Sequence, residues 1–130
     1  MRRAFLLAAL LAAAEPGLAD PQTDYLLYCR GCHLRNGEAV PDANVPSLHE
    51  LGPLLVSKEG REYIVRVPGV SQNAMNDERL AAVLNWVLQE FNAHSLPADF
   101  RPYTADEVGE ARARVLTDPQ RYRAKILGAN

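Results

Sequence analysis

The stretch Tyr28-Cys29-Arg30-Gly31-Cys32-His33 carries both cysteines of the 130-residue chain. Two thiols three positions apart, with an imidazole directly after the second, bring three reactive groups within one or two turns of backbone. Whatever fold forms must present them together. Thiol spacing of this kind serves a redox dithiol, half of a metal site, or the attachment of a prosthetic group. The rest of the sequence has to discriminate.

The compartment comes first, because it decides the fate of free thiols. Residues 1–19 read as a secretory signal: Arg2 and Arg3 form a positive start, residues 4–14 an apolar run, and Gly17-Leu18-Ala19 a small-x-small cleavage site near Ala19. The competing reading, a retained membrane anchor, suffers from an apolar run of 11 residues, too short to span a bilayer as a helix. Asp20 follows the cut, so no cysteine is there to accept a lipid. Export to the periplasm would place the dithiol where unprotected pairs oxidise. Without Arg2, Arg3 and Glu15, the 14 Lys+Arg and 16 Asp+Glu become 12 and 15, a net charge of −3. That balance argues against nucleic acid or an anionic membrane surface as partner. The remaining 111 residues suffice for one domain, with no membrane span expected in the mature chain.

Along the mature chain the punctuation is helical. Asp20-Pro21 is an acidic N-cap followed by a first-turn proline, opening a helix to about Tyr28. Residues 34–46 are polar, with Gly37, Pro41 and Pro46, and read as loop. Residues 57–69 are ambiguous: Tyr63-Ile64-Val65-Arg66-Val67 suits a strand, yet Ser57 starts a helix acceptably and Pro68-Gly69 stops either. Beyond Asn76-Asp77, Leu80, Val83, Leu84, Val87, Leu88 and Phe91 make one apolar helical stripe. Thr104 with Glu107 forms a capping box for a helix to about Leu116, and Asp118-Pro119 opens a last helix that Gly128 can close. The expectation is an all-α fold of about five helices.

Against that background the three thiol readings separate. A redox dithiol needs a strand-to-helix turn in a βαβ unit, and none is offered. A structural zinc site needs four ligands, and no second pair stands at finger spacing. A c-type haem uses every group: two thiols add to the vinyl groups, and the neighbouring imidazole reaches the iron. Cys29, Cys32 and His33 fill its attachment pattern, and Gly31 suits a tight turn beside the macrocycle. A second axial ligand is then wanted. Met75, 42 positions after His33, is the one methionine left after export, and its polar flanks favour a ligand over a core filler. His49 and His94 are weaker rivals.

With these residues in hand, the chain resembles the small monohaem class I cytochromes c over residues 20 to about 91. The resemblance rests on Cys29-Arg30-Gly31-Cys32-His33, on Val45-Pro46-Ser47-Leu48-His49, and on Met75 ahead of the core helix. It implies that the Pro46 carbonyl accepts from the second ring nitrogen of His33, orienting the ring, and that Leu48 packs on the haem face. It implies an aromatic crossing of first and last core helices through Tyr25 and Trp86, and it tips residues 57–69 toward helix. Two departures stand out: the ligand loop around Met75 is short, and the tail after Pro97 exceeds the family core.

The implied organisation is a signal at 1–19, a cytochrome c domain at 20–96 and a helical C-terminal extension at 97–130 packing on it. The implied function is one-electron transfer rather than catalysis. One covalent haem c, its iron between His33 and Met75, would pass electrons from an exported dehydrogenase to a terminal oxidase or reductase. Arg61, Tyr63 and Arg66 are candidates for the haem propionates. The alternative, favoured by the short ligand loop, is a haem enzyme or gas sensor with an open position on the Met75 side.

Overall fold

The computed structural model describes residues 20–128, so the signal sequence expected at residues 1–19 lies outside the described residues. Among them there is no strand. Helix α1 (Pro21–Tyr28) starts where the Asp20 carboxylate accepts from the Thr23 N–H at 3.0 Å. Cys29 ends α1 and begins the single turn α2 (Arg30–His33), which stops where Leu34 takes a left-handed backbone, φ 53°. The two cysteines therefore sit at a helix end and on the turn that follows it.

After a polar loop and a 3₁₀ turn (Gly52–Val56), the ambiguous segment forms helix α3 (Lys58–Arg66), capped by the Ser57 hydroxyl at 3.0 Å from the Gly60 N–H. Burial decides what local propensity did not. Tyr63, Ile64 and Val65 are all buried, and consecutive buried positions suit a helix pressed between neighbours on two sides. Gly60 lets α3 lie against the 3₁₀ turn, since a Cβ there would come 1.9 Å from the Leu54 carbonyl oxygen. Pro68 ends α3 and opens the short α4 (Pro68–Ser71).

Helix α5 (Asp77–Asn92) is the spine, with the predicted stripe Leu80, Val83, Leu84, Val87 and Leu88 buried. It crosses α1 through Tyr25 and Trp86, ring centroids 5.1 Å apart, and Phe91 packs on both rings at 5.6 and 5.5 Å. The bidentate pair Arg79–Asp24 joins the same two helices, at 3.1 Å from Nε and 2.5 Å from Nη2.

The tail continues with α6 (Ala105–Arg112) and α7 (Pro119–Ile126). Helix α6 ends at Arg112, earlier than the expected end near Leu116. The chain leaves it so that the Leu116 N–H can reach the Arg66 carbonyl at the end of α3, 3.0 Å away. Tyr103, Val108, Ala111 and Leu116 join the central hydrophobic core. Arg61 bridges to α6 by a bidentate pair with Glu107, both contacts at 2.8 Å, and lies over the Tyr103 ring at 4.4 Å.

Candidate haem site

Helices α3, α5 and α7 and the loop of residues 44–51 line a cavity of about 940 Å³, within the upper range for ligand sites. Cys29, Cys32 and His33 lie together in its wall. The pocket is mostly apolar: Leu48, Leu51, Ile64, Val67, Val83 and Leu84 supply much of the lining. Tyr25 fixes the attachment segment from behind, its hydroxyl donating to the carbonyls of Leu34 at 2.7 Å and His33 at 3.2 Å. Burial, with Cys29 beside it, pushes that hydroxyl up to about 12, so it remains a donor at ordinary pH.

Electrostatics disfavour the redox dithiol. The Cys29 thiol is pushed up to about 11 by burial and then by neighbouring Asp24 and Cys32. Catalytic dithiols work the other way, through a lowered pKa. The zinc reading fares no better, since among the described residues no three His, Cys, Asp or Glu side chains gather as a metal-binding group.

The remaining expected residues divide. Pro46 and Leu48 line the cavity. Burial lowers the pKa of His33, while the Pro46 carbonyl acts the other way and favours the protonated ring. That carbonyl influences the ring without a well-aligned hydrogen bond, because His33 Nδ1 is buried and unpartnered. Gly31 has no protein atom within 4 Å of where a Cβ would stand, so protein packing does not demand glycine there. His49 turns away, its Nε2 2.8 Å from the Asn36 carbonyl and its ring on Phe91, and His94 is exposed.

Met75 is not brought to the cavity. It is buried in the core at 3 % exposure and absent from the lining, to which its neighbour Asn73 does contribute. Of the three propionate candidates only Tyr63 lines the pocket. Arg61 is engaged by Glu107, and Arg66 donates to the Arg114 carbonyl at 2.6 Å.

The tail supplies what the sequence did not suggest. Thr117, Gln120, Arg123 and Leu127 form part of the cavity wall. Gln120 closes α7 onto the opposite loop by donating to Asn44 Oδ1 at 2.6 Å. Arg123 is the one Lys or Arg in the lining, and its Nη1 is buried with no hydrogen-bond partner. An unpaired buried guanidinium nitrogen is costly unless an anion meets it. The haem that becomes haem c is an apolar disc with two carboxylates, two vinyl groups to which thiols add and an iron for imidazole. Apolar walls, Cys29, Cys32, His33 and an unpaired Arg123 fit that group. Arg123 shares one α7 face with Pro119, Gln120, Ala124 and Leu127, but that face lies in a segment with no local link to the cysteines.

No family model matches the chain. Among characterised proteins it is 33 % identical over 135 aligned residues to a cytochrome c-552 of Thermus thermophilus, covering 90 % of this chain and 88 % of that protein. A second cytochrome c-552 from Thermus thermophilus is 32 % identical over 110 residues, covering 71 % of this chain and 84 % of the relative. The match extends well past the residues that carried the resemblance, into the tail. The all-helical fold, the apolar cavity at the Cys-Cys-His segment and this similarity converge: the chain belongs to the monohaem c-type cytochromes, electron carriers that bind haem c covalently.

Proposed function

We propose that the chain is an exported one-electron carrier, taking electrons from a periplasmic dehydrogenase and giving them to a terminal oxidase or reductase. The observation that carries the reading is the convergence of Cys29, Cys32 and His33 on one largely apolar cavity. Cys29 and Cys32 would form the two thioethers and His33 the iron bond. Bound there, haem c supplies a ferric/ferrous couple.

The chain's residues do the rest. Leu48, Leu51 and Val83 exclude water from the macrocycle, which disfavours the more charged ferric form and raises the potential. The Pro46 carbonyl, next to the unpartnered Nδ1 of His33, would orient the ring, and Arg123 would meet a propionate. Cys32 is exposed and Cys29 half-buried, so the thioether edge lies nearest the surface, where a partner protein can approach. The signal at residues 1–19 would direct the chain across the membrane. Among the described residues no helix is long and apolar enough to cross one.

The sequence also nominated Met75 as second iron ligand. Its burial outside the cavity favours a second reading, in which the His33-ligated haem keeps a position for a small external ligand. The carrier reading is tested by expression with c-type haem maturation, followed by intact mass and redox titration. One covalently added haem and a reversible one-electron couple are expected. A mass without haem, or a couple that does not reverse, would remove the reading.

A further inference from the structure

We infer that His33 is the one side chain of this protein that ligates the haem iron, and that the other axial position takes small diatomic ligands. The inference rests on the covalent haem site proposed above and concerns only its coordination.

The first observation is the inventory of the cavity wall. Among the described residues its lining contains His33 and no other histidine, no lysine and no methionine. These are the neutral nitrogen and sulfur donors with which a c-type haem ordinarily becomes six-coordinate. The segment that should deliver a methionine instead presents Val67, Pro68, Gly69, Val70 and Asn73.

The second observation explains why Met75 stays away. Arg112, the last residue of α6, staples the whole loop around Met75. Its guanidinium donates to the Ser71 carbonyl at 3.1 Å, to the Asn73 carbonyl, to the Met75 carbonyl at 2.8 Å and to Asp77 Oδ1 at 3.0 Å. The Met75 N–H is held by Asn73 Oδ1 at 3.0 Å, so both backbone polar groups of the residue are occupied. One position later, Asn76 caps α5 through the Arg79 N–H at 2.9 Å. Swinging Met75 toward the cavity would break a charge-assisted cluster and a helix cap together, and would empty a site in the packed core. The loop has no spare residues to absorb that change.

The ligand class follows from the wall. Val67, Pro68 and Val70 make the segment apolar, and Asn73 contributes its single amide. Such surroundings suit uncharged diatomics, carbon monoxide or nitric oxide, on ferrous iron over bulky or strongly hydrated ligands.

The test uses the haem-loaded full mature chain and its Met75→Leu variant. Leucine keeps the volume and apolar character that the core requires. Carbon monoxide should shift the ferrous visible spectrum of both proteins, with spectrum, reduction potential and carbon monoxide affinity unchanged within twofold between them. A low-spin ferrous spectrum indifferent to the gas, lost on Met75→Leu, would overturn the inference in favour of Met75. The same indifference retained in the variant would overturn it in favour of a different side chain. Intact mass reports the covalent haem separately, so failure of the coordination claim is distinguishable from failure of the site.

Discussion

Arg123 and Asn92 show how single side chains set the site from outside the attachment segment. Arg123 brings a positive charge to the haem cavity with one nitrogen unpartnered. A nearby cation disfavours the ferric state, which carries one more positive charge than the ferrous, so its removal stabilises the ferric form. Arg123→Gln is expected to lower the reduction potential by on the order of tens of millivolts, read by redox titration of the holoprotein. Asn92, fully buried, works on the loop that carries Pro46 and Leu48. Its Oδ1 accepts from the Leu51 N–H at 2.7 Å, and its Nδ2 donates to the Leu48 carbonyl at 2.9 Å. Asn92→Ala leaves two backbone groups unsatisfied, and a loss of about 2–4 kcal/mol of stability is expected in a denaturant titration. Neither role could be read from the sequence. Cys29, Cys32 and His33 are legible because their chemistry depends on spacing alone, whereas Arg123 and Asn92 act on partners far away in the chain.

Among the elements, α3 and α7 mark the two ways local pattern falls short. In α3, Tyr63-Ile64-Val65 satisfies strand propensity, and three consecutive buried positions hide the helical period. The cap and stop at Ser57 and Pro68 were visible, but packing against the 3₁₀ turn and α6 chose between the states. In α7 the pattern gave the helix correctly, from Asp118 to Gly128, yet said nothing of its place. None of its residues is buried, because its inner face borders the haem cavity. A chain ending at Leu116 is therefore expected to keep its helical circular dichroism, since the core residues remain. With one cavity wall gone and water admitted to the haem, its potential should fall below that of the full chain. An unchanged potential would mean that α7 does not screen the haem.

At the scale of the whole molecule, the tail is part of the core rather than an appendage to it. Tyr103, Val108, Ala111 and Leu116 are buried with Leu54, Val65 and Leu88. Arg61–Glu107 and the Tyr103 N–H to Asn85 Oδ1 contact, 2.7 Å, tie the same segment to α3 and α5. Burying three large side chains contributes roughly 1.5–3 kcal/mol each, which approaches the entire net stability of a typical domain, about 5–15 kcal/mol. A chain ended after Leu96 is expected to lose cooperative thermal unfolding by circular dichroism, in contrast to the chain ended at Leu116. The Arg112 staple extends the same logic to function: a residue from α6 decides where Met75 can go.

The sequence by itself determined the chemistry that needs only adjacency: the Cys29-Cys32-His33 attachment pattern, the helix starts at Asp20, Ser57, Thr104 and Asp118, and the apolar stripe of α5. Backbone geometry alone relates such neighbours, so no fold is needed to read them. The tertiary structure decided what depends on distance through space: that α7 walls the haem cavity, that Arg123 rather than Arg61 or Arg66 reaches it, and that Met75 faces the core. Which residues meet across many intervening positions is set by how the apolar faces of α3, α5 and α6 close on one another. No local pattern encodes that closure.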